Sequence, residues 1–388
     1  MKILMINVVC GIRSTGRICT DIATELEKQG HEVQIAYGRE EVPEKFRKYA
    51  VRIGSDLDVK LHGIKARLFD GCGFGSKKAT EVFIEWIKEY DPDVIHLHNI
   101  HGYYINIEVL FSYLKNCGKK IIWTLHDCWA FTGHAAYCEA VDCDKWKEGC
   151  YKCPKKSDYP SSLTDYSKKN WKRKKEVLCG IPNFIIVTPS QWLANLVKES
   201  FLLDYKVTVI HNGIDTSVFK TKESDIKKRL GIEGKKIILG VAALWEQRKG
   251  LFDFFELSKK LDDNYIVILV GLSKKQIGKL PNRIIGIERT NSVQELAELY
   301  SVADVYLNPT YEDNYPTTNL EAIACGTPVI TYRTGGSPES ADFYGCVVDK
   351  GRVDELDSAI QRCHFIDKRI NVSTQRMIDS YLELYIND

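Results

Sequence analysis

The sequence predicts an α/β protein built from two Rossmann-like domains, each a doubly wound parallel sheet covered by helices. Strand patterns and helix patterns alternate along the whole chain. The predicted strands are short runs rich in Val, Ile and Leu, which is typical of parallel strands buried on both faces. The length of 388 residues suits two domains better than one, and each would be large enough to bury its own core.

The elements follow in order. The first half begins with a strand and an amphipathic helix, Arg17–Gln29, that ends at Gly30, and its predicted strands are Lys2–Val9, Glu32–Tyr37, Val94–Leu97, Ile121–Leu125 and Phe184–Thr188. The second half repeats the pattern with strands at Val207–Ile210, Lys236–Ala243, Tyr265–Val270, Val305–Leu307, Val329–Thr331 and Cys346–Val348. We place the domain boundary near Tyr205, giving domains 1–205 and 206–370. A last helix, about Ser373–Asn387, occupies 371–388.

Composition excludes several classes of protein. Hydrophobic residues make up 44% and charged residues 27% of the chain, as in ordinary soluble globular proteins. The longest apolar run, Ile237–Leu244, is too short to span a membrane, and Met1–Val9 is predicted to be a strand and not a secretion signal. We therefore expect a cytoplasmic protein with no nucleic-acid partner. The odd number of cysteines, thirteen, argues against a disulfide framework in that compartment.

Most of the unusual residues fall just after predicted strands. Parallel α/β sheets bind ligands at the carboxyl ends of their strands. In the first half these residues are Gly11–Gly16, His98, His101, His126 and Ser190; in the second they are Asn212-Gly213, Arg248–Gly250, Gly271, Arg289-Thr290, Asp313 and Gly335-Gly336. Two such edges facing each other predict a cleft between the domains that contains the active site.

The segment Pro309–Ile330 places two carboxylates around a short predicted helix, Thr318–Cys325, just past a buried strand. A helix N-terminus attracts phosphate, and a carboxylate beside it can accept hydrogen bonds from ribose or sugar hydroxyls. Asp313 lies in the loop and Glu321 in the first turn of the helix. The alternative is that Thr318-x-x-Glu321 is a capping box with a purely structural role.

A second glycine-rich turn, Thr334-Gly335-Gly336-Ser337-Pro338-Glu339, follows the next strand. Together the two segments resemble the donor-binding signature of retaining GT-B glycosyltransferases of family four (glycosyl transferases group 1). Asp313 occupies the first acidic position, where Glu is usual in that family. Because Glu312 lies one residue earlier, either of the two could point into the site.

The resemblance implies transfer of a sugar from a nucleotide-diphosphate donor to a saccharide acceptor, with retention and without a catalytic metal. It implies that Asp313 and the backbone of Asn314, Tyr315 and Thr317 hold the donor sugar and that Glu321 holds the ribose. Arg289 and Thr290 would lie beside the base, and His126 would contact the donor sugar. It also implies that the last helix packs back on the N-terminal domain. The setting it suggests is surface polysaccharide (capsule) biosynthesis on a lipid-linked acceptor at the inner face of the membrane.

Two further sites in the chain fit a phosphorylated ligand. Arg248-Lys249-Gly250 lies between a strand and a helix, and a fixed Arg–Lys pair can stabilise a diphosphate leaving group without a metal. The family's Gly-Arg-Leu is replaced here by Ala242-Ala243-Leu244, so Arg248 could substitute for the missing Arg. The loop containing Gly11 and Gly16 is neither a Walker loop nor a dinucleotide fingerprint; it allows close approach of a ligand or is simply a tight turn.

Four cysteines form a compact cluster, Cys138-x4-Cys143-x6-Cys150-x2-Cys153, inside an insertion at about 128–160. Four thiolates suit a closed, structural zinc site. Relatives with this insertion often have a Cys where this chain has Ala135, so Cys138 could compensate, or His134 could be a ligand. An iron–sulfur cluster and free thiols are the alternatives.

The sequence also suggests contact with an anionic membrane surface. Asp144–Glu176 holds eleven Lys or Arg and five Asp or Glu. Wound as a helix, Leu163–Leu178 places Leu163, Tyr166, Trp171, Val177 and Leu178 in one stripe, with most of its lysines outside it, as in an interfacial helix. The alternative is that the stripe packs on the core and the charges are solvated.

Two other functions stay open at this point. A nucleotide-sugar epimerase of the same fold would use the same donor without consuming an acceptor. A non-catalytic sugar-binding or scaffold protein would use the cysteine module to bind partners.

Overall fold

The computed structural model describes residues 1–341, 345–363 and 371–387. The chain divides into two compact units, Met1–Ile210 with Ser380–Asp388, and His211–Asp379. Each unit contains one parallel sheet, and the predicted fold class is confirmed.

In the described part of the first unit, seven parallel strands have the spatial order β3-β2-β1-β4-β5-β6-β7. The strands are β1 (Lys2–Asn7), β2 (Glu32–Tyr37), β3 (Ala50–Arg52), β4 (Val94–Leu97), β5 (Lys120–Thr124), β6 (Phe184–Thr188) and β7 (Lys206–Val209). The helices are α1 (Arg13–Lys28), α2 (Asp56–Phe69), α3 (Lys77–Tyr90), α4 (Ile107–Leu114), α5 (Ser167–Leu178) and α6 (Gln191–Lys198). The strands β4 and β6 are buried at every position, as expected for a sheet covered on both faces.

In the described part of the second unit, six parallel strands have the order β10-β9-β8-β11-β12-β13. In chain order its elements are α7 (Ile226–Arg229), β8 (Lys236–Val241), α8 (Leu251–Lys260), β9 (Tyr265–Val270), α9 (Lys274–Ile277), β10 (Ile284–Ile287), α10 (Val293–Val302), β11 (Val305–Asn308), α11 (Thr317–Ala324), β12 (Val329–Tyr332), β13 (Gly345–Val348) and α12 (Val353–Arg362). From β8 the strand numbers increase in both directions across the sheet, so successive strands are added on opposite sides of β8. The boundary between β8 and β11 is therefore the switch point, where ligands bind in such sheets.

The last helix, α13 (Thr374–Asn387), begins in the second unit and ends in the first. In the first unit, the Tyr385 hydroxyl lies 2.7 Å from Nδ1 of His96 on β4, and the Tyr381 hydroxyl lies 2.9 Å from Oγ1 of Thr124 on β5. Both tyrosines are buried, so these turns of α13 are anchored to the sheet of the first unit.

The structure differs from the sequence analysis at three elements. The strand at Lys206–Val209 pairs with β6 and completes the first sheet, so the division of the chain follows it instead of preceding it near Tyr205. The short strands β3 and β10 were not predicted. Both lie at sheet edges, where a strand has one neighbour and carries a weaker apolar signal.

The proposed interfacial stripe on α5 is wrong. Trp171 and Leu178 are 8% and 0% exposed and belong to the core of the first unit. The Trp171 indole donates to the Trp146 carbonyl at 2.8 Å and packs edge-on against Phe201. The apolar side of α5 therefore covers the core, and Leu163 and Tyr166 precede the helix.

Candidate functional site

In the second unit, a lysine–carboxylate pair lies at the carboxyl edge of the sheet. Lys249 Nζ lies 2.5 Å from Asp313 Oδ2, and the two side chains are 21% and 18% exposed. Asp313 Oδ1 also accepts from the Asn314 backbone N–H at 2.9 Å. Glu312 is 2% exposed, so Asp313 is the acidic residue that faces Lys249.

The position of Lys249 depends on Gly250. Gly250 has φ +71°, and a Cβ there would meet the Pro309 carbonyl oxygen at 2.2 Å. This close approach lets the Tyr311 N–H donate to the Arg248 carbonyl at 2.8 Å, tying the 3₁₀ turn Gln247–Lys249 to the loop after β11. The backbone of that loop thus fixes where the ammonium group stands.

The helix α11 follows this loop, and its N-terminus has no side-chain cap. Its N-cap residue is Pro316, so Thr318 is already inside the helix and is not the cap of a capping box with Glu321. The first backbone N–H groups of a helix lack intrahelical partners and attract anions. The start of α11 can therefore bind a phosphate or hydroxyl group.

A buried network fixes α11 against the strands. Asn319 accepts from the Asn308 side chain at 2.8 Å and donates to Ser340 Oγ at 2.8 Å, while Thr331 and Ser337 share a hydrogen bond of 2.7 Å. The sequence analysis did not single out Asn319. Asn is a poor helix former, so an Asn inside a predicted helix suggests some other role. This signal is weak and does not identify the role.

Glu321, on the same helix, is held by a tyrosine. The Tyr300 hydroxyl donates to Glu321 Oε2 at 3.0 Å. Burial, with the nearby Glu321 charge, raises the pKa of Tyr300 well above its ordinary value, so the hydroxyl stays protonated and keeps donating. Tyr300 was missed from the sequence because its apolar position on α10 is typical of a core residue.

The other predicted donor-binding residues of this unit lie in different environments. Asn314 is buried, and the Tyr315 ring stacks on His211 at 4.7 Å between centroids. Thr317 is the first residue of α11. Arg248 is exposed and pairs with Glu246 at 3.1 Å, so its side chain does not join the Lys249–Asp313 pair in this structure. Arg289 and Thr290 follow β10, and Arg289 is exposed.

In the first unit, His126 follows β5 and belongs to a row of histidines. His126 Nε2 lies 3.1 Å from His98 Nδ1, and the His98 ring lies 4.1 Å from that of His96. Burial lowers the pKa of His126 to about 4 and that of His96 to about 3, so both are neutral at pH 7. His98 is also buried, with its pKa well below the ordinary value for the same reason.

The described residues offer no hydrogen-bond partner to Nε2 of His98. A buried lone pair without a partner costs less than a buried N–H without one. We therefore assign the shared proton to His98 Nδ1, which donates to His126 Nε2. Neutral His126 then carries its own proton on Nδ1.

The other histidine after β4 has a separate partner. His101 Nε2 lies 2.9 Å from Asp127 Oδ2, and His101 Nδ1 lies 3.1 Å from the Tyr159 hydroxyl. Asp127 also accepts from the Trp129 N–H at 2.9 Å. These contacts tie the start of the cysteine-rich insertion to the edge of the sheet.

The glycine loop after β1 forms a tight turn into α1. Gly11 has φ +73°, its N–H donates to the Gly16 carbonyl at 3.1 Å, and a Cβ on Gly11 would meet the Phe46 ring at 2.5 Å. The N-cap, Ile12, supplies no side-chain cap. The turn alone accounts for Gly11, while the uncapped start of α1 leaves donors for an anion.

The cysteine insertion has no α-helix or β-strand in its described residues, only 3₁₀ turns at Glu139–Val141 and Lys145–Lys147. All thirteen cysteines lie in the described ranges, and none forms a disulfide. A cavity of about 20 Å³ is lined by His134 and by the four predicted ligands, Cys138, Cys143, Cys150 and Cys153. Within residues 1–341, 345–363 and 371–387, however, no three His, Cys, Asp or Glu side chains are placed to hold one metal ion. The four-cysteine zinc site is thus not preassembled.

His134 has an arrangement that the sequence did not reveal. Its side chain is 0% exposed, and Nδ1 lies 2.5 Å from Asp70 Oδ1. Asp70 is buried and also accepts from the Tyr166 N–H at 3.0 Å. The opposite ring nitrogen, Nε2, is buried and has no hydrogen-bond partner among the described residues.

A larger cavity, about 690 Å³, lies at the other end of the first sheet. Its lining includes Lys120, Phe184 and Lys206, which begin β5, β6 and β7. Because parallel sheets bind ligands at the carboxyl ends of their strands, this cavity does not belong to the candidate site.

Comparison with known proteins decides the family. The model of Glycosyltransferase Family 4 matches residues 15–218, and the model of Glycosyl transferases group 1 matches residues 235–364. The chain belongs to glycosyltransferase family 4. The resemblance to glycosyltransferase family four that was seen in the sequence is therefore confirmed.

Relatives of this family 4 chain include a protein of Escherichia coli named as colanic acid biosynthesis glycosyl transferase WcaC, 24% identical over 420 residues with 100% of both chains covered. A processive diacylglycerol alpha-glucosyltransferase of Acholeplasma laidlawii is 27% identical over 158 residues, covering 38% of this chain and 47% of that protein.

Solved structures share the fold. Sucrose-phosphate synthase from Thermosynechococcus elongatus has a TM-score of 0.72 at 17% identity, covering 99% of this chain and 98% of that one. HepE of Anabaena in complex with UDP-glucose has a TM-score of 0.62 at 15% identity, covering 99% of this chain and 95% of that one. At these identities the likeness supports the GT-B fold alone. Among the described residues, no helix is both long and apolar enough to cross a membrane.

Proposed function

We propose that this family 4 member transfers a hexose from a nucleotide-diphosphate donor to a saccharide acceptor, with retention of configuration and without a catalytic metal. The observation that carries the proposal is the Lys249–Asp313 pair beside the uncapped start of α11, together with Glu321 of α11, which accepts a hydrogen bond from Tyr300 of α10. A cation, a helix N-terminus without a side-chain cap and a carboxylate together match the diphosphate and the hydroxyls of such a donor.

Lys249 binds the diphosphate in this proposal. An ammonium group has three donors, and Asp313 takes one, which leaves two for phosphate oxygens. When the bond between the anomeric carbon and the phosphate oxygen breaks, its electron pair goes to the leaving diphosphate. A positive charge that already stands in place stabilises that developing negative charge.

The other residues position the donor. Asp313 and the backbone of Asn314, Tyr315 and Thr317 hold the sugar, and Glu321 accepts from the ribose hydroxyls. Arg289 and Thr290 lie beside the base, and Arg248 adds positive charge if its side chain leaves Glu246. His126 contacts the donor sugar as a neutral imidazole in this proposal.

The proposed acceptor is a lipid-linked saccharide of surface polysaccharide biosynthesis. It is supported by the relative named for colanic acid biosynthesis and by the relative named for a diacylglycerol substrate.

The test is to incubate the purified chain with UDP-, GDP- and ADP-hexoses and saccharide acceptors and to determine the product anomer by NMR. Transfer with retention, unaffected by EDTA, supports the proposal. Conversion of the donor to an epimer without an acceptor would assign an epimerase instead, and binding without donor turnover would assign a sugar-binding protein.

We also propose that the insertion holds one structural zinc ion, bound by His134 and three of the four cysteines. Asp70 holds the proton on His134 Nδ1, which leaves Nε2 as a buried lone pair, and a carboxylate behind a histidine is the usual support of a zinc ligand. Thiols and imidazole are the donors that zinc prefers, and a cavity of about 20 Å³ has room for one small ion. Binding would require three of the cysteines Cys138, Cys143, Cys150 and Cys153 to move closer to His134 and to one another.

A further inference from the structure

The helix α2 carries an apolar stripe that faces solvent. Leu57, Leu61, Ile64 and Leu68 are 64%, 57%, 56% and 41% exposed. Their spacings of four, three and four residues place them on one side of the helix, over a length of roughly 16 Å. The opposite side of α2 buries Ala66 and His62.

The stripe continues into the chain segment before α5. The Leu163 N–H donates to the Arg67 carbonyl at 2.8 Å, and the Thr164 hydroxyl donates to the Leu68 carbonyl at 2.8 Å. Leu163 and Phe69 are 59% and 55% exposed. We call the set formed by Leu57, Leu61, Ile64, Leu68, Phe69 and Leu163 the α2 patch.

Positive charge surrounds the α2 patch. From Val59 to Phe69, the charged residues of α2 are Lys60, Lys65 and Arg67, all basic. Lys156 adds a fourth cation, since its Nζ donates to the Leu163 carbonyl at 3.4 Å. The acids of the helix lie in its first turn and are engaged there.

Those two acids have local partners. Asp56 pairs with Arg52 at 2.6 Å, and Asp58 accepts from the Ser55 N–H at 2.8 Å in a capping box. They are therefore held at the N-terminal end of α2, while the rest of its surface combines apolar side chains with cations.

We propose that the α2 patch docks on the surface of an anionic lipid bilayer. An exposed apolar stripe on an amphipathic helix, flanked by Lys and Arg, suits the boundary between headgroups and acyl chains. Leu61, Ile64 and Leu68 enter that boundary, and Lys60, Arg67 and Lys156 meet the headgroup phosphates. The proposal concerns membrane binding alone and does not rest on the proposed transferase activity.

The experiment is flotation of the full chain with vesicles of phosphatidylcholine alone or mixed with phosphatidylglycerol, at low and high salt. We expect flotation with the anionic vesicles that weakens as salt rises. The variant Leu61→Gln/Ile64→Gln/Leu68→Gln should lower the partition coefficient at least about tenfold. The variant Lys60→Gln/Arg67→Gln/Lys156→Gln should lower it on anionic vesicles by roughly fivefold per cation.

A matched control replaces exposed apolar residues elsewhere, as Val82→Gln/Leu203→Gln/Val293→Gln; these positions are 71%, 57% and 45% exposed. Flotation and melting temperature should be unchanged in this control. The proposal is overturned if the wild type stays unbound to anionic vesicles at low salt, or if the control loses binding as much as the α2 variant. Self-association that the α2 variant abolishes, without vesicle binding, would identify the patch as a protein interface. Because no sugar is present, none of these results depends on catalysis.

Discussion

Removing the Lys249 ammonium group tests the proposed chemistry most directly. In the variant Lys249→Ala, Asp313 keeps its N–H bond from Asn314 but loses the cation 2.5 Å away. Losing one preorganised donor to a developing negative charge typically costs about 10²–10³ in kcat. The Asp313 carboxylate already neutralises part of the Lys249 charge. We therefore expect kcat to fall by at least about tenfold and up to about a hundredfold.

The effect on folding should be smaller. Both side chains keep about a fifth of their surface in water, 21% and 18%, so the pair is screened and its loss should cost about 1 kcal/mol of unfolding free energy or less. The assay is steady-state transfer from the preferred nucleotide-hexose, with urea unfolding of the same preparations. A matched control, Lys259→Ala, removes an exposed partner of Glu256 in α8 and should leave both kcat and stability nearly unchanged.

A double-mutant cycle separates the chemical role from the structural one. Asp313→Asn retains the shape of the carboxylate but removes its charge, and the double variant reports the coupling in each measurement. If Lys249→Ala lowers stability while kcat and kcat/KM stay within about threefold of the wild type, the pair is only a salt bridge and the leaving-group role is refuted.

Three further predictions concern other parts of the chain. Glu321→Gln should weaken donor binding by about one to two decades, because a charge-assisted bond to ribose contributes roughly 1.5–3 kcal/mol. Calorimetry should show this loss of affinity, and a smaller loss in Tyr300→Phe. A lower melting temperature at unchanged donor affinity would favour a structural role for Glu321. Because burial lowers the pKa of His96 to about 3, below the ordinary 6.5, the unfolded chain binds more protons between these values. The free energy of unfolding should therefore fall as pH drops from about 6.5, and His96→Gln should flatten that slope in urea titrations at pH 7, 6 and 5. Elemental analysis should find about one zinc per chain. The variant Cys150→Ser/Cys153→Ser should lose both the zinc and the protease resistance of the insertion, since structural zinc can supply on the order of 10 kcal/mol of folding free energy. Iron would indicate an iron–sulfur cluster, and metal-free protein with full activity would contradict the proposal.

The central strands could be predicted from the sequence because burial on both faces leaves a continuous apolar run. The structure places strands at Lys236–Val241 and Tyr265–Val270, where such runs occur. The donor segment could be placed because its motif is long and its helix is bounded by proline and glycine. An edge strand such as Ala50–Arg52 gives no comparable signal, since half of its environment is solvent.

Surface faces were harder to predict than strands. On α5 and α2 alike, apolar side chains recur at helical spacing, and periodicity alone does not reveal which side meets the core. In the structure Trp171 of α5 is buried and Leu61 of α2 is exposed. The difference depends on the elements that pack nearby, which a single helix sequence does not contain.

Side-chain direction within a loop is a second limit. Glu312 and Asp313 are adjacent, and an irregular loop has no period that would assign one of them to the interior. Their neighbours decide: the Thr310 hydroxyl donates to the Glu312 carbonyl at 3.1 Å, and the Gly336 N–H donates to the Asp313 carbonyl at 3.3 Å. With the backbone bonded in this way, the Asp313 carboxylate pairs with Lys249 and Glu312 is buried.

The same contacts explain why this pair differs from an ordinary surface salt bridge. An exposed lysine side chain on a helix loses conformational entropy when it forms an ion pair. That entropy cost offsets most of the electrostatic attraction. Here backbone contacts alone fix the segment that carries Lys249. Gly250 lies against the Pro309 carbonyl, and the Tyr311 N–H donates to the Arg248 carbonyl. Asp313 is fixed in turn by Asn314 and Gly336. A charge whose position is already determined by backbone contacts needs little reorganisation when a phosphate arrives, and this is the property that electrostatic stabilisation of a leaving group requires.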